Sequence, residues 1–446
     1  MDLNVLIVGG GIHGVGLLHD LATRGLAGVH LVEQSTLAAG TSSRTTKLIH
    51  GGLRYLEHPG QWGLVREALS ERALLLRLLP GIVQPIPFIL PAFRQGRSAW
   101  LIRLGLALYD QLASGGGLPR SRRLTQGEIA RLAPYFRRDQ LDRGLRDVFL
   151  YYDAQMLDDV IVRLAARAAS RLGATYAEQT RVEAITHVSE GYRVRLRSPN
   201  GAHEVTGRLV VNAAGAWANA NLLRWNVRPR TVCLLNVGTH LVFSPDVVPA
   251  KPDDCAATLM QHADGRVVFF IPWDKKWMLG TTDSMLDGTP DRWDCPAADR
   301  VYLMEIAKQH LELHQPDRHI LETFCGIRTI PLPDRAPAAG AGPVPSAWSQ
   351  DPFASPFYRR LFKGDASSLS RESVLDESAS GLFTIYGGKF TTYRALCKRL
   401  GDRIAQRLGH GGTSGTHDPR NWFLDELRRS EPHLFQSSAE LRRNPC

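Results

Sequence analysis

The chain has 446 residues, of which 43% are hydrophobic and 22% charged, and it carries a net charge of +10. These values are ordinary for a globular enzyme of two or three domains with a sizeable core. The positive charge favours anionic substrates or an anionic membrane surface, and no nucleic-acid partner is expected because no segment resembles a nucleic-acid-binding module. No stretch reaches the roughly 18 apolar residues of a transmembrane helix, and no signal peptide is expected because the first motif begins close to Met1.

The strongest pattern opens the chain. The apolar residues 5–8 predict a buried parallel strand, and residues 13–24 predict the helix that follows. The turn between them has the G-x-G-x-x-G spacing, with Gly9, Gly11 and Gly14. Such glycines permit a tight turn, approach of backbone to a pyrophosphate, and close packing of helix on strand. Glu33 follows where a carboxylate accepts hydrogen bonds from a ribose. The pattern predicts a bound dinucleotide, and a glycine-rich turn without ligand is the alternative.

The remaining elements follow from apolar periodicity, turn residues and proline positions. Residues 38–58 are rich in Gly, Ser and Thr and predict a loop around a ligand. Residues 231–282 alternate strands and turns, which predicts an antiparallel sheet in a second domain. The other expected elements are helices at 63–79, 99–112, 157–172 and one ending near 408, paired strands at 180–188 and 192–196, strands at 208–215 and 382–386, a boundary in the proline-rich run 80–91, and a surface loop at 335–356. The C-terminal tail shows no strong pattern.

Several segments combine small residues with groups that carry chemistry. Three hydroxyl residues could bind a phosphate or ribose: Thr41, Ser42 and Ser43. Two glycines beside His50 and Arg54 let backbone approach a flat ring system: Gly51 and Gly52. The strand end VVNAAG gives a wall with few side chains, while GIRTIPL and YGGKFTTYR each combine glycine with a cation. Taken singly, these segments also fit a loop histidine bonded to backbone, plain sheet packing and surface turns.

The six cysteines are scattered, with no C-x-x-C pair and no zinc-binding spacing. We expect reduced or buried thiols of a cytosolic protein, without an assigned role, and no metal site. The residues are Cys233, Cys255, Cys295, Cys325, Cys397 and Cys446.

Together these segments resemble the family of flavin-dependent glycerol-3-phosphate dehydrogenases and, more broadly, the FAD-binding oxidoreductases related to D-amino-acid oxidase. The most specific part is SSRTTKLIHGGLRYLEH, supported by IPWDKKWMLGTTD and YGGKFTTYR, and the resemblance covers residues 3–395. His13 replaces the asparagine that is more usual in the family's glycine turn. The family's further C-terminal helical domain is not clearly matched after Arg394, and GIRTIPLPD departs from the typical Gly-Val-Arg-Pro run.

The resemblance implies an α/β fold: a Rossmann-like FAD-binding domain with an inserted antiparallel-β substrate domain and a short helical C-terminal tail. The FAD-binding domain would occupy three parts, at residues 1–90, 151–230 and 325–408, the last with a loop at 335–370. The other parts would be a helical, membrane-facing insertion at 91–150, the substrate domain at 231–324 and the tail at 409–446.

The resemblance also implies FAD rather than NAD as the cofactor and carries its binding residues over by position. The ADP half would lie at Gly9, Gly11, Gly14 and Glu33, with Val182 beside the adenine and Thr41, Ser42 and Ser43 beside the phosphates. The residues near the flavin would be His50, Gly51, Gly52 and Leu53, with Gly387, Gly388 and Lys389 closing over its ring system and Thr391 nearby. The cofactor would also be lined by Ala214, Gly215 and Trp217.

The implied reaction oxidises sn-glycerol 3-phosphate to dihydroxyacetone phosphate by hydride transfer to the flavin. Arg54 and Arg328 would bind the phosphate with fork geometry, joined by Lys389, which also stabilises the developing alkoxide or the reduced flavin. His50 is the candidate base because an imidazole pKa lies near the operating pH, and His240 is a second candidate.

In this family the electron acceptor is usually a membrane quinone, reached by a cytoplasmic enzyme that lies on the inner face of the cell membrane. The basic charge and the helix at 99–112 fit such docking, and a core-facing helix is the alternative. The flanking arginines are Arg94, Arg97, Arg120, Arg122 and Arg123. Two other functions stay open: FAD-dependent oxidation of a related hydroxy acid or amine, and flavin binding without activity. The three cations argue against the last. The acceptor, the FAD linkage and the oligomeric state stay open.

Overall fold

Two β-sheets with flanking helices form the framework of the chain. The computed structural model describes residues 2–57, 59–93, 98–113, 116–137, 139, 144–261, 266–286, 289–291, 294–332 and 372–435. The strands are β1 (Asp2–Val8), β2 (Val29–Val32), β3 (Leu48–Ile49), β4 (Val83–Phe93), β5 (Arg122–Arg123), β6 (Leu145–Met156), β7 (Thr175–Ala177), β8 (Arg181–Val188), β9 (Gly191–Ser198), β10 (Gly201–Asn212), β11 (Val232–Phe243), β12 (Ala257–Gln261), β13 (Val267–Trp273), β14 (Lys276–Gly280), β15 (Ser284–Met285), β16 (Ile320–Leu332), β17 (Val374–Glu377) and β18 (Phe383–Tyr386). The helices are α1 (Ile12–Thr23), α2 (Trp62–Leu78), α3 (Ala99–Leu112), α4 (Gln126–Leu132), α5 (Asp158–Arg171), α6 (Ala218–Arg224), α7 (Ala297–His310), α8 (Tyr393–Leu408) and α9 (Leu424–Ser430).

The first sheet is the predicted Rossmann-like unit. Its strand order is β17-β18-β10-β1-β2-β7, and the antiparallel hairpin β8–β9 continues from β10. Strands β18, β10, β1, β2 and β7 run parallel to one another. Residues 5–8 of β1 are buried, as expected for a parallel strand covered on both faces. The α/β fold and the opening βαβ unit predicted from the sequence are therefore confirmed.

Helix α1 is the centre of the core beside this sheet. It packs against α5 and α8, and four alanines of α5 that are fully buried allow this close approach: Ala165, Ala166, Ala168 and Ala169. The C-terminal tail belongs to the same core, since Trp422, Leu427 and Leu434 are buried in it. The Trp422 ring meets the edge of His19 at a centroid distance of 4.7 Å. The tail therefore packs on α1 although its sequence shows no pattern.

The second sheet has the order β15-β11-β14-β13-β12-β4-β6-β3, with β16 beside β11 and β5 beside β6. Its pairs are antiparallel except for β12 and β4, which run parallel. The antiparallel sheet predicted from residue 231 onward is confirmed, but it also includes β3 to β6 from the first third of the chain. The domain limits given above remain a prediction.

The proline-rich run, where a boundary is predicted, forms strand β4 over residues 83–93. The prolines inside β4 are Pro85, Pro87 and Pro91, spaced by even numbers of residues. Residues two apart present their backbone groups to the same edge of a strand. The missing N–H groups therefore all face one edge, and the antiparallel ladder between β4 and β6 stays continuous on the other.

The cysteine expectation also needs correction. Cys295, just before α7, forms a disulfide with Cys325 of β16, with their Cα atoms 5.6 Å apart. Cys233, Cys255 and Cys397 are free and buried, as expected. The sequence misses this pair because the two cysteines are 30 residues apart, belong to different elements and form no recognisable spacing motif. Within the described part of the chain, none of the helices combines the length and apolar character needed to cross a membrane.

Candidate active site

A cavity of about 1220 Å³ extends from the glycine turn after β1 to the inner strands of the second sheet. Its walls come from both sheets: the β1–α1 turn, the ends of β2 and β10, the loop that follows β2, and strands β11 and β16. Residues 387–391, between β18 and α8, line it as well. The carboxyl ends of the parallel strands meet here, where open α/β sheets bind their ligands.

The glycine turn has the geometry that its spacing predicts. Gly9 has φ +113°, and a Cβ there would lie 2.7 Å from the Ala213 carbonyl oxygen. A Cβ at Gly14 would lie 1.9 Å from the Gly9 carbonyl oxygen, so α1 packs directly on the turn. Gly11 lines the cavity. Alanine at Gly9 or Gly14 would therefore displace backbone.

Glu33 lies across this turn at the end of β2. One carboxylate oxygen accepts a hydrogen bond from the Gly10 amide at 2.7 Å, and the other accepts from the Ser35 amide at 2.8 Å. The Thr180 amide donates to the Glu33 carbonyl oxygen at 2.7 Å, which brings the start of β8 alongside. Glu33 and Val182 of β8 both line the cavity. The structure thus brings together two residues of the predicted ADP end.

The predicted phosphate segment forms a single 3₁₀ turn, Thr41–Ser43. Thr41 and Ser42 line the cavity. The Thr41 hydroxyl donates to the Ile327 carbonyl oxygen of β16 at 2.6 Å, and Ser42 Oγ accepts from the Ile12 amide at 2.9 Å. This turn therefore connects the start of α1 to the strand that carries Arg328.

A buried ion pair anchors the loop that contains the Thr41–Ser43 turn. Lys47 lies 2.8 Å from Asp158 of α5, and both side chains are almost completely buried. The Lys47 ammonium also donates to the Ser43 carbonyl oxygen at 2.7 Å. Removing either partner of such a pair leaves an unpaired buried charge and costs about 3–5 kcal/mol. Lys47 and Asp158 thus hold the loop in place over the cavity.

A second buried network lies behind His50. Asp153 accepts hydrogen bonds from Arg72 at 2.5 Å and from the Tyr109 hydroxyl at 2.7 Å. The Gly51 amide donates to Asp153 at 3.2 Å, and a Cβ at Gly51 would lie 2.5 Å from the Tyr109 oxygen. Gly51 is therefore required for packing against this network, and its position fixes that of His50.

His50 itself lines the cavity and is uncharged at neutral pH. Burial lowers its pKa to about 4, helped by the nearby positive charges of Lys389 and Arg72, while Asp153 acts in the opposite direction. The expectation that its pKa lies near the operating pH is therefore wrong for the free protein. The sequence shows a histidine beside two glycines but not the burial and the cations around it.

Arg328 is held by groups of β11 and of the segment after β14, and its guanidinium lies 3.6 Å from the carboxylate of Asp283. It lies opposite Asn236 in the β11–β16 ladder and donates to Asn236 Oδ1 at 2.9 Å. It also donates to the Thr281 hydroxyl at 2.8 Å and to the Thr282 carbonyl oxygen at 3.0 Å. A Cβ at Gly238 would lie 2.2 Å from Arg328 Nη2, so the guanidinium occupies space that only glycine leaves.

The segment behind Arg328 is fixed in turn by Asp299, a buried residue in the first turn of α7. Its carboxylate accepts hydrogen bonds from the hydroxyls of Thr239 at 2.6 Å, Thr282 at 2.5 Å and Ser284 at 2.5 Å. The Thr282 hydroxyl also accepts from the Thr239 amide at 2.9 Å. Asp299 therefore positions the residues that position Arg328.

His240 is a second neutral imidazole in the cavity. Its Nε2 lies 3.0 Å from the Thr46 hydroxyl, and its ring stacks on Phe324 at 4.8 Å. A Cβ at Gly280 would lie 2.3 Å from the ring, so glycine is needed there too. Burial lowers the pKa of His240 well below its ordinary value, with further lowering by Arg328 and Lys47.

Lys389 approaches the cavity from the segment between β18 and α8. Its ammonium lies 3.9 Å from the centroid of the Tyr55 ring, a cation–π contact. Two glycines with positive φ precede it, Gly387 at +63° and Gly388 at +96°. The backbone of Arg54 lies in the 3₁₀ turn Leu53–Glu57, but its side chain lies outside the described part of the structure. Arg328 and Lys389 line the same cavity, and the phosphate site expected from Arg54, Arg328 and Lys389 stays a prediction.

The cavity wall also contains other residues carried over from the resemblance: Gly52, Leu53, Ala214, Gly215, Trp217, Gly387, Gly388 and Thr391. Three predicted residues are not part of the wall: Gly14, Ser43 and Gly51. They support the wall from outside: Gly14 lets α1 pack on the glycine turn, Ser43 accepts a hydrogen bond from Lys47, and Gly51 donates one to Asp153.

Several residues of the site are not predicted from the sequence. Tyr55 lies within the specific tract GGLRYLE, so the sequence offered a signal for it. Asn236, Thr281 and Asp153 lie in ordinary strand or turn sequence and reach the site only through long-range pairing. His13 was noticed as an unusual residue of the glycine turn but received no role, although it lines the cavity.

A Rossmann-like unit with a cavity lined by two neutral histidines and two cations is typical of a dinucleotide-dependent oxidoreductase. The family model for FAD-dependent oxidoreductases, DAO, matches residues 4–360. The chain belongs to this family, and FAD is its cofactor. The resemblance to glycerol-3-phosphate dehydrogenases seen in the sequence is confirmed by the relatives described next.

Two curated relatives and two solved structures show what this chain is similar to. The chain is 34% identical over 423 residues to D-erythritol 1-phosphate dehydrogenase of Brucella abortus (strain 2308), covering 93% of this chain and 76% of the relative. It is 35% identical over 403 residues to glycerol-3-phosphate dehydrogenase of Pseudomonas aeruginosa, covering 89% and 70%. The fold matches glycerol-3-phosphate dehydrogenase from Bacillus halodurans complexed with FAD, with TM-score 0.69, 24% identity and coverage of 99% and 74%. It also matches L-alpha-glycerophosphate oxidase from Mycoplasma pneumoniae with FAD bound, with TM-score 0.66, 18% identity and coverage of 93% and 97%.

The residues of this chain fit FAD. A Cβ at Gly11 would lie 3.1 Å from Ser42 Oγ, so bare backbone faces the place where a pyrophosphate would approach the start of α1. Small residues make up much of the cavity wall, so backbone can come close to a large cofactor: Gly9, Gly11, Ala214, Gly215, Gly387 and Gly388.

Proposed function

We propose that this protein oxidises sn-glycerol 3-phosphate to dihydroxyacetone phosphate. The observation that carries the proposal is Arg328, a guanidinium fixed by Asn236 and Thr281 in the FAD cavity that Lys389 and two neutral histidines also line. Such a guanidinium suits a phosphate, because its planar fork matches phosphate oxygens. The names of the curated relatives support a phosphorylated polyol as the substrate.

The cofactor would lie along the cavity as the sequence predicts. Glu33 and Val182 would hold its adenosine end, and the turn at Gly11 with Thr41 and Ser42 would face its phosphates. His50 would face the flavin, together with the remaining predicted cofactor residues that line the cavity: Gly52, Leu53, Ala214, Gly215, Trp217, Gly387, Gly388, Lys389 and Thr391. When bound, FAD supplies the acceptor for a hydride from the substrate carbon.

The side chains of this protein would bind the substrate and take its proton. Arg328 and Arg54 would hold the phosphate, and Lys389 would stabilise negative charge on the substrate oxygen as the hydroxyl loses its proton. His50 is the proposed base, because it is neutral and has Lys389 as a near neighbour. His240 is the alternative base, because it is neutral and lies next to Arg328.

The base assignment is tested by comparing His50→Ala with His240→Ala in rapid anaerobic flavin reduction. If His50 is the base, its replacement slows reduction by about 100-fold or more, while FAD stays bound. Replacement of His240 then affects mainly substrate binding. A normal reduction rate in His50→Ala would remove His50 as the base.

We further propose that electrons pass to a quinone at an anionic membrane surface. Helix α3 presents three strongly exposed apolar side chains: Trp100, Leu101 and Leu104 are 68%, 45% and 58% exposed. Such a face supports an interfacial position, with basic residues toward lipid head groups. Arg122 and Arg123 follow in β5 and are exposed, whereas Arg94 and Arg97 lie outside the described residues. Binding to anionic vesicles that is unchanged by Leu104→Glu would contradict this role.

The substrate proposal is tested by anaerobic titration of the holoenzyme. We expect glycerol 3-phosphate to bleach the oxidised flavin spectrum, and amino acids and hydroxy acids to leave it unchanged. Bleaching by erythritol phosphate but not by glycerol 3-phosphate would replace the substrate with that of the Brucella relative. No bleaching by any polyol phosphate would reject the proposal. Peroxide formation in air, without reaction with a quinone, would indicate an oxidase.

A further inference from the structure

Tyr55 lines the cavity and has no role in the function proposed above. Its ring lies against the Lys389 ammonium, with 3.9 Å between the nitrogen and the ring centroid. The two residues come from distant parts of the chain: Tyr55 from the 3₁₀ turn Leu53–Glu57, and Lys389 from the segment between β18 and α8. The contact therefore connects the turn that follows His50 to the segment that carries the cation.

The Tyr55 ring is fixed within its own turn. The Tyr55 amide donates to the Gly52 carbonyl oxygen at 2.8 Å. A Cβ at Gly52 would lie 2.5 Å from the ring, so the ring occupies space that only glycine leaves. The ring also packs against a buried apolar cluster that includes Phe88 and Tyr151. Tyr55 therefore offers the ammonium a ring face in a defined position.

The surroundings of Lys389 differ from those of Lys47, another lysine that faces aromatic rings. Lys47 lies 5.2 Å from the centroid of the Trp273 ring, but it also pairs with Asp158 at 2.8 Å. In the part of the chain that the structure describes, no carboxylate pairs with Lys389, and its ammonium contacts the Tyr55 ring instead. The charge of Lys47 is thus offset within the protein, whereas the charge of Lys389 is not.

An aromatic ring and a carboxylate hold an ammonium with different consequences. A carboxylate offsets the positive charge and accepts its N–H groups. A ring face attracts the ammonium through its quadrupole, but it is neutral and leaves N–H donors for a ligand. We propose that Tyr55 is a positioning residue that holds Lys389 in place and leaves its charge available to the reacting substrate oxygen. The role of Lys389 rests on the proposed function, whereas its contact with Tyr55 does not.

The kinetic test compares three variants in anaerobic reduction of the bound flavin by glycerol 3-phosphate. Tyr55→Leu removes the ring, and Tyr55→Phe keeps the ring face without the hydroxyl. In Tyr55→Leu the reduction rate at saturating substrate should fall about tenfold, with substrate affinity within about threefold of wild type, because Lys389 acts on charge that develops during the reaction. Tyr55→Phe should keep the rate within about threefold. The control is Phe435→Leu, which removes a contact with Arg428 at 4.9 Å in the tail and should change neither value.

Acetylation of lysines in the holoenzyme, followed by mass spectrometry, tests the contact without any substrate. Acetylation of Lys389 should become about three- to tenfold faster in Tyr55→Leu, because the ammonium loses the ring that covers it and stabilises its charged form. It should keep the wild-type rate in Tyr55→Phe. Lys398, which pairs with Asp402 at 2.9 Å on α8, is the internal reference and should react equally in all variants.

The two readouts separate the possible failures. Unchanged acetylation of Lys389 in Tyr55→Leu would overturn the positioning contact, and faster acetylation with an unchanged reduction rate would overturn its role in the reaction. A Tyr55→Phe variant as slow as Tyr55→Leu would also overturn the proposal, because the hydroxyl would then matter and not the ring face. If only another polyol phosphate reduces the wild-type flavin, the substrate proposal fails, and the same comparison with that compound still decides the role of Tyr55.

Discussion

Arg328→Lys tests the proposed phosphate site most directly. The guanidinium donates to Asn236 on one side and to Thr281 on the other, at 2.9 and 2.8 Å. Lysine has a single ammonium and cannot reach both partners while also facing a substrate with a planar fork. Losing one charge-assisted hydrogen bond to the phosphate costs about 2 kcal/mol, which corresponds to a roughly 30-fold rise in KM.

The assay is steady-state oxidation of glycerol 3-phosphate with an artificial acceptor, together with the FAD content of the purified protein. We expect KM to rise and FAD to stay at the wild-type level, because Arg328 contacts the second-sheet side of the cavity. Gly238→Ala should act in the same direction, since its Cβ would meet Arg328 Nη2 at 2.2 Å. Arg195→Lys, on the exposed hairpin strand β9, is the control. An unchanged KM in Arg328→Lys would refute the phosphate assignment.

Three further predictions follow from the structure. Gly14→Ala should abolish FAD binding and reduce soluble yield, because its Cβ would lie 1.9 Å from the Gly9 carbonyl oxygen; normal FAD content would contradict the packing described. His50, with a pKa of about 4, should stay unprotonated down to pH 5 in an NMR titration of labelled histidines. Its signal is assigned by comparison with His50→Gln, and a titration midpoint near pH 6.5 would show that His50 is not buried. Reduction of Cys295–Cys325, which closes a 30-residue separation, should lower the free energy of unfolding by about 3–4 kcal/mol; Cys295→Ser should remove this sensitivity to reductant.

Local sequence patterns predict the elements of the first sheet well. The apolar run of β1, the glycine spacing and Glu33 each depend on neighbours within a single βαβ unit, so a short stretch contains the whole signal. The helices at α2, α3, α5 and α8 are recognised for the same reason. Strand β4 is different, because its three prolines suggest a break. The strand tolerates these prolines because they are an even number of residues apart, so that their missing N–H groups face one edge. The other edge pairs with β6, a partner more than fifty residues away.

In the candidate site, too, local motifs reveal some residues, whereas others depend on long-range pairing. Glycines, hydroxyls and cations near the cofactor are visible in motifs, but the groups that hold Arg328 are not. Asn236 comes from β11, Thr281 from the segment after β14, and Asp299 from α7. The β11–β16 ladder runs for eleven residue pairs in one register and places Asn236 opposite Arg328, far away in the sequence. Nor can a motif show whether a histidine is buried, and burial decided the protonation state of His50.

The neutral state of the two histidines would link the proposed phosphate binding to proton transfer. In the free protein, cations lower both imidazole pKa values beyond the effect of burial: Lys389 and Arg72 act on His50, and Arg328 and Lys47 on His240. A bound phosphate dianion would offset these cations and therefore raise the pKa of a nearby imidazole. Since a base with a pKa closer to the operating pH accepts a proton more effectively, a phosphorylated substrate would strengthen its own base. Glycerol, which lacks the phosphate, would leave the histidine weakly basic, so the phosphate would contribute to the rate of the reaction as well as to affinity.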